Sequence, residues 1–559
     1  MRQQYEPSAD RIIALYQQLE DDILSAVIRR ILKMGYVSEA SKHQLEVLQA
    51  AGLLYDDIVQ LIADRTDACT AQVKALFEDA GVQTVAIDNS LHEAAGALPI
   101  DIRQDSSTRQ VLEAGYKKTL GTMQNLVSTT ATQTQTAFIQ TCDRIYMQVS
   151  SGAFSYQEAI MNALRALADT GAEVVYPTKH KDRMDVAVRR CVLTGVSQTA
   201  AAVSLQQAED AGCYLMEITA HSGARPDHAK WQGQLVTITG KDAGKIIDGL
   251  RVFTLSEIGY GSGEGFKGWN CRHNWHAYYP GFSTPNYTPE ELKRLDEPCI
   301  SYNGKLYTEY EVSQMQRAQE RRVRAWKRRC ITAQESVNSA TDEATRATAQ
   351  AEYSKSAVHL KANEEKLKDF CKQTGQNRDR FREQVYGFGR SEAQRAVQAN
   401  NSSFRNTMRQ KGIKNPPESI AEFKKMMYNK PDEYKLMQTY SKSVDSGMIS
   451  PLVGYEKYKE YHKRVEKELV GLTTSNGIEI KSQSDHFLER VFGTISDPTH
   501  EGAKRSGVEL EDIAEALKNG SVRQHKNGSY IYKSHNCEVS LNPNTGNLIQ
   551  VTPKKRNVP

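Results

Sequence analysis

The sequence lacks the features that mark secreted and membrane proteins. Its nine cysteines are odd in number and scattered over 559 residues, and none is arranged as CxxC. Such usage argues against a disulfide framework and for a reducing compartment. The most apolar stretches, such as "ILSAVIRRILKMGYV", are broken by arginine and lysine, and the N-terminus "MRQQYEPSADR" has no apolar segment of the kind a signal peptide needs. We therefore expect neither a membrane partner nor export by a signal peptide.

An excess of one charge is nearly absent from the whole chain but present locally. The formal net charge is +4. Residues 1–100 contain 8 Lys and Arg against 15 Asp and Glu, a net charge of −7, whereas residues 301–430 contain 26 against 15, a net charge of +11. A basic block of this kind predicts an acidic partner or nucleic acid, and a solvated array of charged helices explains it equally well.

Length and periodicity predict a multidomain, mainly α-helical protein, because 559 residues exceed what one hydrophobic core supports. In the first helix apolar residues recur every three or four positions, with Ser8 as a candidate N-cap and Gly35 as a stop. Similar patterns follow at residues 38–64, 70–80, 106–149, 155–168 and 181–211. Residues 1–212 are therefore predicted to form a helical N-terminal region.

The middle of the chain predicts a different structure. Residues 213–285 contain eleven glycines, densest in "GYGSGEGFKGWN", and the segments "CYLMEITA" and "GQLVTIT" have strand character. We predict a small β-rich, glycine-rich insertion there. Helix resumes where Thr288 can cap and Pro289 suits the first turn. The charged residues within 286–375 predict a long basic helix or an antiparallel helical hairpin.

The C-terminal third changes character once more. Residues 376–475 predict shorter helices, and the polar stretch "LTTSNGIEIKSQS" predicts a linker. Beyond it, "DHFLERVFG" and "VELEDIAEALKNG" are helical in pattern, while "SYIYKS", "CEVSLN" and "LIQVTP" are typical of short strands. Residues 476–559 are therefore predicted to hold this linker and a compact α+β C-terminal domain.

Several blocks in the first 375 residues or so resemble the phage minor capsid protein 2 family. They are "TGVSQTAA", "AHSGARPDHAKWQGQ", "GYGSGEGFKGWNCRHNWHAYYPGFS", "RRVRAWKRR" and "DFCKQTGQNRDRFRE". Such proteins are similar in role to the minor head proteins of phages Mu and SPP1. The resemblance implies a virion component of the phage head interior, assembled in the host cytoplasm, with the portal protein and the major capsid protein as partners. DNA is packaged into and ejected from such a head, and the basic middle of the chain would face it.

Roughly the last 75 residues resemble the small nucleases of the barnase, EndoU, colicin and RelE-like group. The segments "DHFLERV", "VELEDIAEAL" and "VSLNPNTGNLIQVTP" carry this likeness. It implies an effector domain that is a metal-independent ribonuclease with RNA as its substrate. A domain retained for its fold alone is one alternative. A polymorphic toxin, whose long N-terminal part is a delivery module, is another.

Candidate catalytic residues follow from the chemistry of RNA cleavage. Such an enzyme needs a base for the ribose 2′-hydroxyl, an acid for the leaving oxygen, and cations or hydroxyl donors at the phosphate. His486 and Arg490 lie four apart on one helix face and could act as base and phosphate clamp. Lys533, Ser540 and Thr552 on the following strands are candidates to complete an anion pocket.

The stretch "GWNCRHNWH" suggests a structural zinc site, the one cofactor that the sequence predicts. Zinc takes four nitrogen, sulfur or oxygen ligands. The candidate ligands are His228, Cys271 and His273, with one of Asp227, His221 or His276 as the fourth. A metal-free structural clasp between two strands is the alternative. An HNH nuclease is disfavoured, because its histidines and asparagine must be spread along a hairpin and a helix.

The run "RRVRAWKRR" is a candidate contact for packaged DNA, because neutralising phosphates needs only clustered basic side chains. Its basic residues are Arg321, Arg322, Arg324, Lys327, Arg328 and Arg329. Docking to an acidic portal surface and a solvated helix face are the alternatives.

Overall fold

A computed structural model of the chain describes residues 2–36, 38–96, 98–102, 105–176, 178–493 and 506–554. The chain divides into two compact units, Met1–Val397 and Gln398–Pro559. Helices account for most of the described residues and the sheets are small, which confirms a mainly α protein. Among the described residues, no helix is long and apolar enough to cross a membrane.

The first unit is built mostly from long helices. They are α1 (Arg2–Met34), α2 (Ala40–Ala94), α3 (Ser106–Ser150), α4 (Tyr156–Thr170), α5 (Met184–Asp210), α6 (Pro289–Leu295), α7 (Glu309–Ser339), α8 (Glu343–Thr374) and the start of α9 (Arg390–Gln410). Its strands are β1 (Glu173–Val175), β2 (Lys181–Arg183), β3 (Leu215–Ile218), β4 (Leu235–Thr237), β5 (Ile246–Ile247), β6 (Leu250–Thr254), β7 (Trp275–Ala277), β8 (Ile300–Tyr302) and β9 (Lys305–Tyr307).

The ends of the first helix were only half predicted. Gly35 follows α1 with φ +66, the left-handed conformation of a helix stop, as expected. The prediction of Ser8 as an N-cap is wrong, since α1 begins at Arg2.

Helix α2 is one continuous element where two were predicted. Its buried face continues through Val73, Leu76 and Phe77, and no glycine or proline interrupts the chain between residues 64 and 70. Helices α1, α2, α3 and α5 share one core with α4. Two glycines bring α3 and α5 close together: a Cβ on Gly115 would overlap Thr199, and one on Gly195 would overlap Thr119.

A small sheet follows α5, with strand order β5-β6-β4-β3-β7. Strands β4 and β6 are parallel and the other neighbours are antiparallel. The predicted strands "CYLMEITA" and "GQLVTIT" are confirmed as β3 and β4. Two small apolar clusters cover the sheet, one around Trp231 and Trp275 and the other around Tyr278 and Leu250.

The charged segment after this sheet is a helical hairpin. Thr288 caps α6 and Pro289 occupies its first position, as predicted. Helices α7 and α8 are joined by three residues, so they run antiparallel, and Trp326 stacks on His359 between them with ring centroids 4.4 Å apart. Of the two structures that the sequence allowed here, the hairpin is the one that forms.

The second unit contains the rest of α9, five further helices and one sheet among its described residues. The helices are α10 (Ile420–Asn429), α11 (Pro431–Asp445), α12 (Tyr455–Glu468), α13 (Asp485–Phe492) and α14 (Leu510–Asn519). The strands are β10 (Ser482–Gln483), β11 (Ser521–Gln524), β12 (Tyr530–Lys533), β13 (Cys537–Asn542) and β14 (Asn547–Pro553). Their order is β10-β14-β13-β12-β11, and only β10 and β14 are parallel.

The stretch that was expected to be a linker is packed into this unit. Thr473 bridges to Glu479, Ile480 is fully buried, and Asn476 accepts a hydrogen bond of 2.6 Å from the Tyr532 hydroxyl. The core of the second unit extends from Met408 to residues of β14. The α+β segment and the helices before it therefore share one core.

Candidate functional site

Three predicted ligands lie together in the first unit. Single ligand atoms of His228, Cys271 and His273 are all within 4.8 Å of one another, and all three residues are buried. We call these three residues the Cys/His cluster. His228 comes from the loop between β3 and β4, and the other two immediately precede β7. The fold thus brings together residues that are more than forty positions apart.

Hydrogen bonds orient the two rings of the Cys/His cluster. The Nε2 atom of His273 lies 3.2 Å from the Gln232 Oε1 atom, while its Nδ1 atom lies 3.6 Å from the Cys271 Sγ atom. The Nε2 atom of His228 lies 2.8 Å from the carbonyl oxygen of Glu264 and 2.7 Å from the Arg225 guanidinium, which can only donate. The oxygen acceptor at His273 Nε2 suits a proton there and a lone pair on Nδ1, whereas His228 Nε2 faces both an acceptor and a donor.

The Cys/His cluster is buried against an aromatic side chain. The buried indole of Trp231 lies 4.4 Å from the His228 ring and 4.7 Å from the His273 ring, centroid to centroid. Burial lowers the pKa of His273 to about 2 and also lowers the pKa of His228. Both imidazoles are therefore neutral near pH 7, the form in which histidine binds metals.

Two of the three candidates for a fourth ligand already have other partners. Asp227 is exposed, and its carboxylate lies 3.6 Å from the Arg225 guanidinium and 3.9 Å from the Nε2 atom of His228. The Nε2 atom of His276 lies 3.3 Å from Glu217 and 2.9 Å from the side-chain amide of Asn286.

His221 is placed differently. Its ring centroid lies 4.5 Å from that of His273, and its Nδ1 atom donates to the Ser222 carbonyl oxygen at 2.9 Å. Its Nε2 atom is buried and has no hydrogen-bond partner among the described residues. Of the three candidates, His221 is the one that presents an unused nitrogen beside the cluster.

The glycine-rich segment 259–268 folds tightly on itself next to the Cys/His cluster. A Cβ on Gly265 would overlap the carbonyl oxygen of Gly259, and a Cβ on Gly268 would overlap that of Ser262. The buried Lys267 donates to the Asn274 Oδ1 atom at 2.8 Å. Because Asn274 accepts this bond and His276 pairs with Glu217, "CRHNWH" forms no HNH arrangement.

The basic run of α7 mostly makes contacts inside the first unit. Arg328 forms a buried ion pair of 3.3 Å with Asp185, and Arg329 forms a partly exposed ion pair of 2.6 Å with Asp169. The other inward contacts go to backbone oxygens.

Lys327 donates to the Glu383 carbonyl oxygen at 2.8 Å, and Arg324 donates to that of Arg382. Arg321 and Arg322 are the exposed basic residues of the run. These two present their charge to solvent without an inward contact of the kind that the other four make.

In the second unit His486 belongs to a small polar network. Its Nδ1 atom lies 3.3 Å from Glu489 Oε2, and its Nε2 atom lies 3.4 Å from the Arg490 Nε atom. Ser443 donates to Glu489 Oε1 at 2.5 Å. Burial would raise the pKa of Glu489, but the hydrogen bonds from His486 and Ser443 outweigh it and lower the pKa. Glu489 was not predicted, although its i+3 spacing from His486 was visible.

The structure does not bring the strand candidates to His486. Along β12, β13 and β14, Tyr532 pairs with Val539 and Val539 with Val551, and these residues lie in the core with α13. Successive side chains alternate between the faces of a sheet, so the neighbouring positions point away from α13. Those positions are Lys533, Ser540 and Thr552.

Among these three, Lys533 pairs with Glu538 at 3.1 Å. The five candidates therefore form two separate groups on opposite faces of the sheet. His525 and His535 are exposed, and His500 lies outside the described residues.

Comparisons with known proteins identify the family to which the first two thirds of the chain are similar. The family model of phage minor capsid protein 2 matches residues 2–372. A structural protein of Lactococcus phage LL-H is 24% identical over 333 residues, which cover 57% of this chain and 86% of that protein. A structural protein of Lactococcus phage mv4 is 37% identical over 81 residues, 14% of this chain and 57% of that protein. No solved structure matches.

The family match spans well over half of the chain and includes the Cys/His cluster and the α7–α8 hairpin. This chain belongs to the phage minor capsid protein 2 family and is a structural protein of a phage virion.

Proposed function

We propose that this minor capsid protein lies in the head interior and docks to the portal through an exposed apolar stripe on α2. The stripe consists of Leu45 (57% exposed), Leu48 (60%), Tyr55 (36%) and Val59 (44%), with Gly52 between them. This stripe is the observation that carries the proposal.

The stripe has the spacing of one helix face. Its members lie 3, 4, 3 and 4 positions apart along α2, which is the repeat of a seam that packs against another helix. A different face of α2, with Val47, Leu54 and Ile58, is buried in the unit's own core. Contiguous apolar surface of this kind marks an interaction site.

The negative charge of the region restricts the kind of surface that could bind the stripe. Residues 1–100 carry a net charge of −7, so the partner should offer an apolar groove with a basic rim. The portal is the partner that the role of related minor head proteins suggests, and the inner surface of the major capsid protein is the second choice.

Co-assembly tests this docking. Leu45→Glu with Leu48→Glu places two charges in the stripe and should abolish co-purification with the portal and incorporation into heads. Gln49→Glu with Gln83→Glu adds the same charge to exposed positions of α2 outside the stripe and should leave both intact. Normal incorporation of the stripe variant would contradict the proposal.

A second candidate function, ribonuclease activity of the second unit, rests on the His486–Glu489 pair. Glu489 holds the His486 ring by its Nδ1 atom, which leaves the lone pair on Nε2, and a substrate hydroxyl would have to displace the long Arg490 Nε–H bond of 3.4 Å to use it. Arg490 is adjacent and could bind a phosphate. The separation of Lys533, Ser540 and Thr552 from this pair means that the site would use α13 rather than the outer face of the sheet.

Expression of residues 398–559 tests the ribonuclease. This fragment carries the complete core of the second unit, which a fragment from residue 482 would not. It should slow bacterial growth and cleave RNA, and His486→Ala should remove both effects. His525→Ala, at an exposed histidine of the same unit, is the control. A wild-type fragment that is folded but inert would rule out catalysis.

A further inference from the structure

We propose that the first unit binds one zinc ion through His228, Cys271 and His273, with His221 as the fourth ligand. The site would join the β3–β4 loop to the segment that precedes β7.

The observed separations fit a tetrahedral zinc site. With Zn–S and Zn–N distances of about 2.3 and 2.05 Å, two tetrahedral ligands lie about 3.6 Å apart. The Cys271 Sγ and His273 Nδ1 atoms are separated by 3.6 Å. The third ligand atom, from His228, is within 4.8 Å of both, so small side-chain rotations suffice to close the site.

The hydrogen bonds around the cluster are those that hold metal-binding histidines. A ligand histidine usually donates its other ring N–H to an oxygen atom, which fixes the ring's orientation and tautomer. Gln232 Oε1 is positioned to accept from His273 Nε2. At His228 Nε2 the Glu264 carbonyl oxygen can accept at 2.8 Å, and the Arg225 guanidinium, 2.7 Å away, can only donate. Metal bound at Nδ1 would keep the proton of the His273 ring on Nε2, and at His228 it would favour the hydrogen bond to Glu264 over the one from Arg225.

His221 offers the fourth ligand atom that a tetrahedral site needs besides the other three residues. A buried nitrogen without a hydrogen bond costs free energy unless a ligand satisfies it. The Nε2 atom of His221 is such a nitrogen, on a ring 4.5 Å from His273. Its Nδ1 atom donates to Ser222, so Nε2 carries the lone pair.

The positive charge of the proposed zinc site has an acidic side chain nearby. Cys271 would bind as a thiolate, releasing its proton to solvent, and three neutral histidines would leave the zinc site with a net charge of about +1. Gln232, which contacts His273, also donates to the Asp296 carboxylate at 3.5 Å. Through Gln232, the negative charge of Asp296 thus lies close to the ligand His273.

Zinc would stabilise a part of the fold that has little core of its own. The apolar cluster here is small, and the glycine-rich segment 259–268 folds by backbone contacts rather than by large side chains. A metal ion that ties two loops together provides the cohesion that a small core lacks.

Metal analysis of the full chain tests the proposal. Protein purified from zinc-supplemented medium and dialysed against metal-free buffer should hold about one zinc per chain. Cys271→Ser should lose it, whereas Cys299→Ser, at an exposed cysteine, should keep it. Wild-type protein without zinc, or Cys271→Ser with undiminished zinc, would overturn the proposal in favour of a metal-free clasp.

Cobalt titration covers the case in which Cys271→Ser fails to fold. Wild-type chain stripped of metal and shown to be folded should develop a thiolate-to-cobalt charge-transfer band and tetrahedral d–d bands. Absence of these bands would refute the site. His221→Ala should keep the charge-transfer band but bind at least about tenfold more weakly. Unchanged affinity would remove His221 from the ligand set.

Discussion

Gly265 is a position where a single methyl group is expected to be costly. A Cβ there would overlap the carbonyl oxygen of Gly259, within a backbone that packs on itself. Gly265→Ala should therefore lower the free energy of unfolding of the first unit by about 1–3 kcal/mol. Denaturant unfolding measures this. Gly52→Ala is the matched control, since Gly52 lies in α2 with nothing near its missing Cβ, and it should raise stability by about 0.5–1 kcal/mol.

Asp88 should make the stability of the first unit depend on pH. Its carboxylate accepts a hydrogen bond of 2.6 Å from Ser204, joining α2 to α5, and burial raises its pKa to about 6. The folded state therefore holds this proton more tightly than the unfolded state, whose pKa is near 3.8. The resulting stability is complete below pH 3.8 and is lost as the pH rises through 6.

Comparison with Asp88→Asn isolates this contribution. Between pH 4 and 7 the wild-type protein should lose about 2.4 kcal/mol of stability that the Asn variant does not lose. Thermal unfolding across that pH range is the measurement, and Glu93→Gln at an exposed position of the same helix is the control. Parallel profiles for wild type and Asp88→Asn would contradict the assignment.

At the scale of elements, α7 should bind DNA only through its exposed arginines. Arg321→Gln with Arg322→Gln should weaken non-specific duplex binding and lower the slope of log affinity against log salt by about 2. Filter binding over a salt series gives this slope. Lys366→Gln with Lys368→Gln removes the same charge from exposed positions of α8. Equal effects of the two variants would mean that only net charge matters.

Periodicity was sufficient to predict most elements. The 3.6-residue pattern located α3, α4 and α5 to within a few residues, and the strand patterns located β12, β13 and β14. Positions where one element continues were harder to predict. The two helices expected within α2 are one, because a break requires a residue that stops a helix and none is present between residues 64 and 70.

The sites were less predictable than the elements, since they depend on distant partners. Nothing within the run Arg321–Arg329 indicates that Asp185 and Asp169 neutralise two of its charges. Similarly, side chains alternate between the two faces of the sheet, so Lys533, Ser540 and Thr552 lie on one face and α13 covers the other. The Cys/His cluster could be predicted because so few residue types bind zinc.

At the scale of the whole molecule, the division into two units has a consequence for fragments. The fragment 398–559 should unfold cooperatively in denaturant, because it contains its entire apolar core. A fragment of residues 482–559 should not, since it lacks Met437, Tyr440 and Tyr458, all buried in that core. Near-ultraviolet circular dichroism separates the two outcomes. A cooperative transition in the shorter fragment would show that the preceding helices are dispensable.

Helix α2 extends over 55 residues, about 82 Å. The apolar stripe lies near one end, and at the other end His92 forms a hydrogen bond of 2.8 Å with Tyr279, close to the small sheet. About 60 Å separate the middle of the stripe from His92, so each degree of tilt at the stripe moves the far end by about 1 Å. Besides packing in the core, the helix therefore converts a small tilt at the stripe into a large displacement at its other end. If several copies dock through their stripes on equivalent surfaces, their small sheets would all lie at the same distance from those surfaces and in the same orientation.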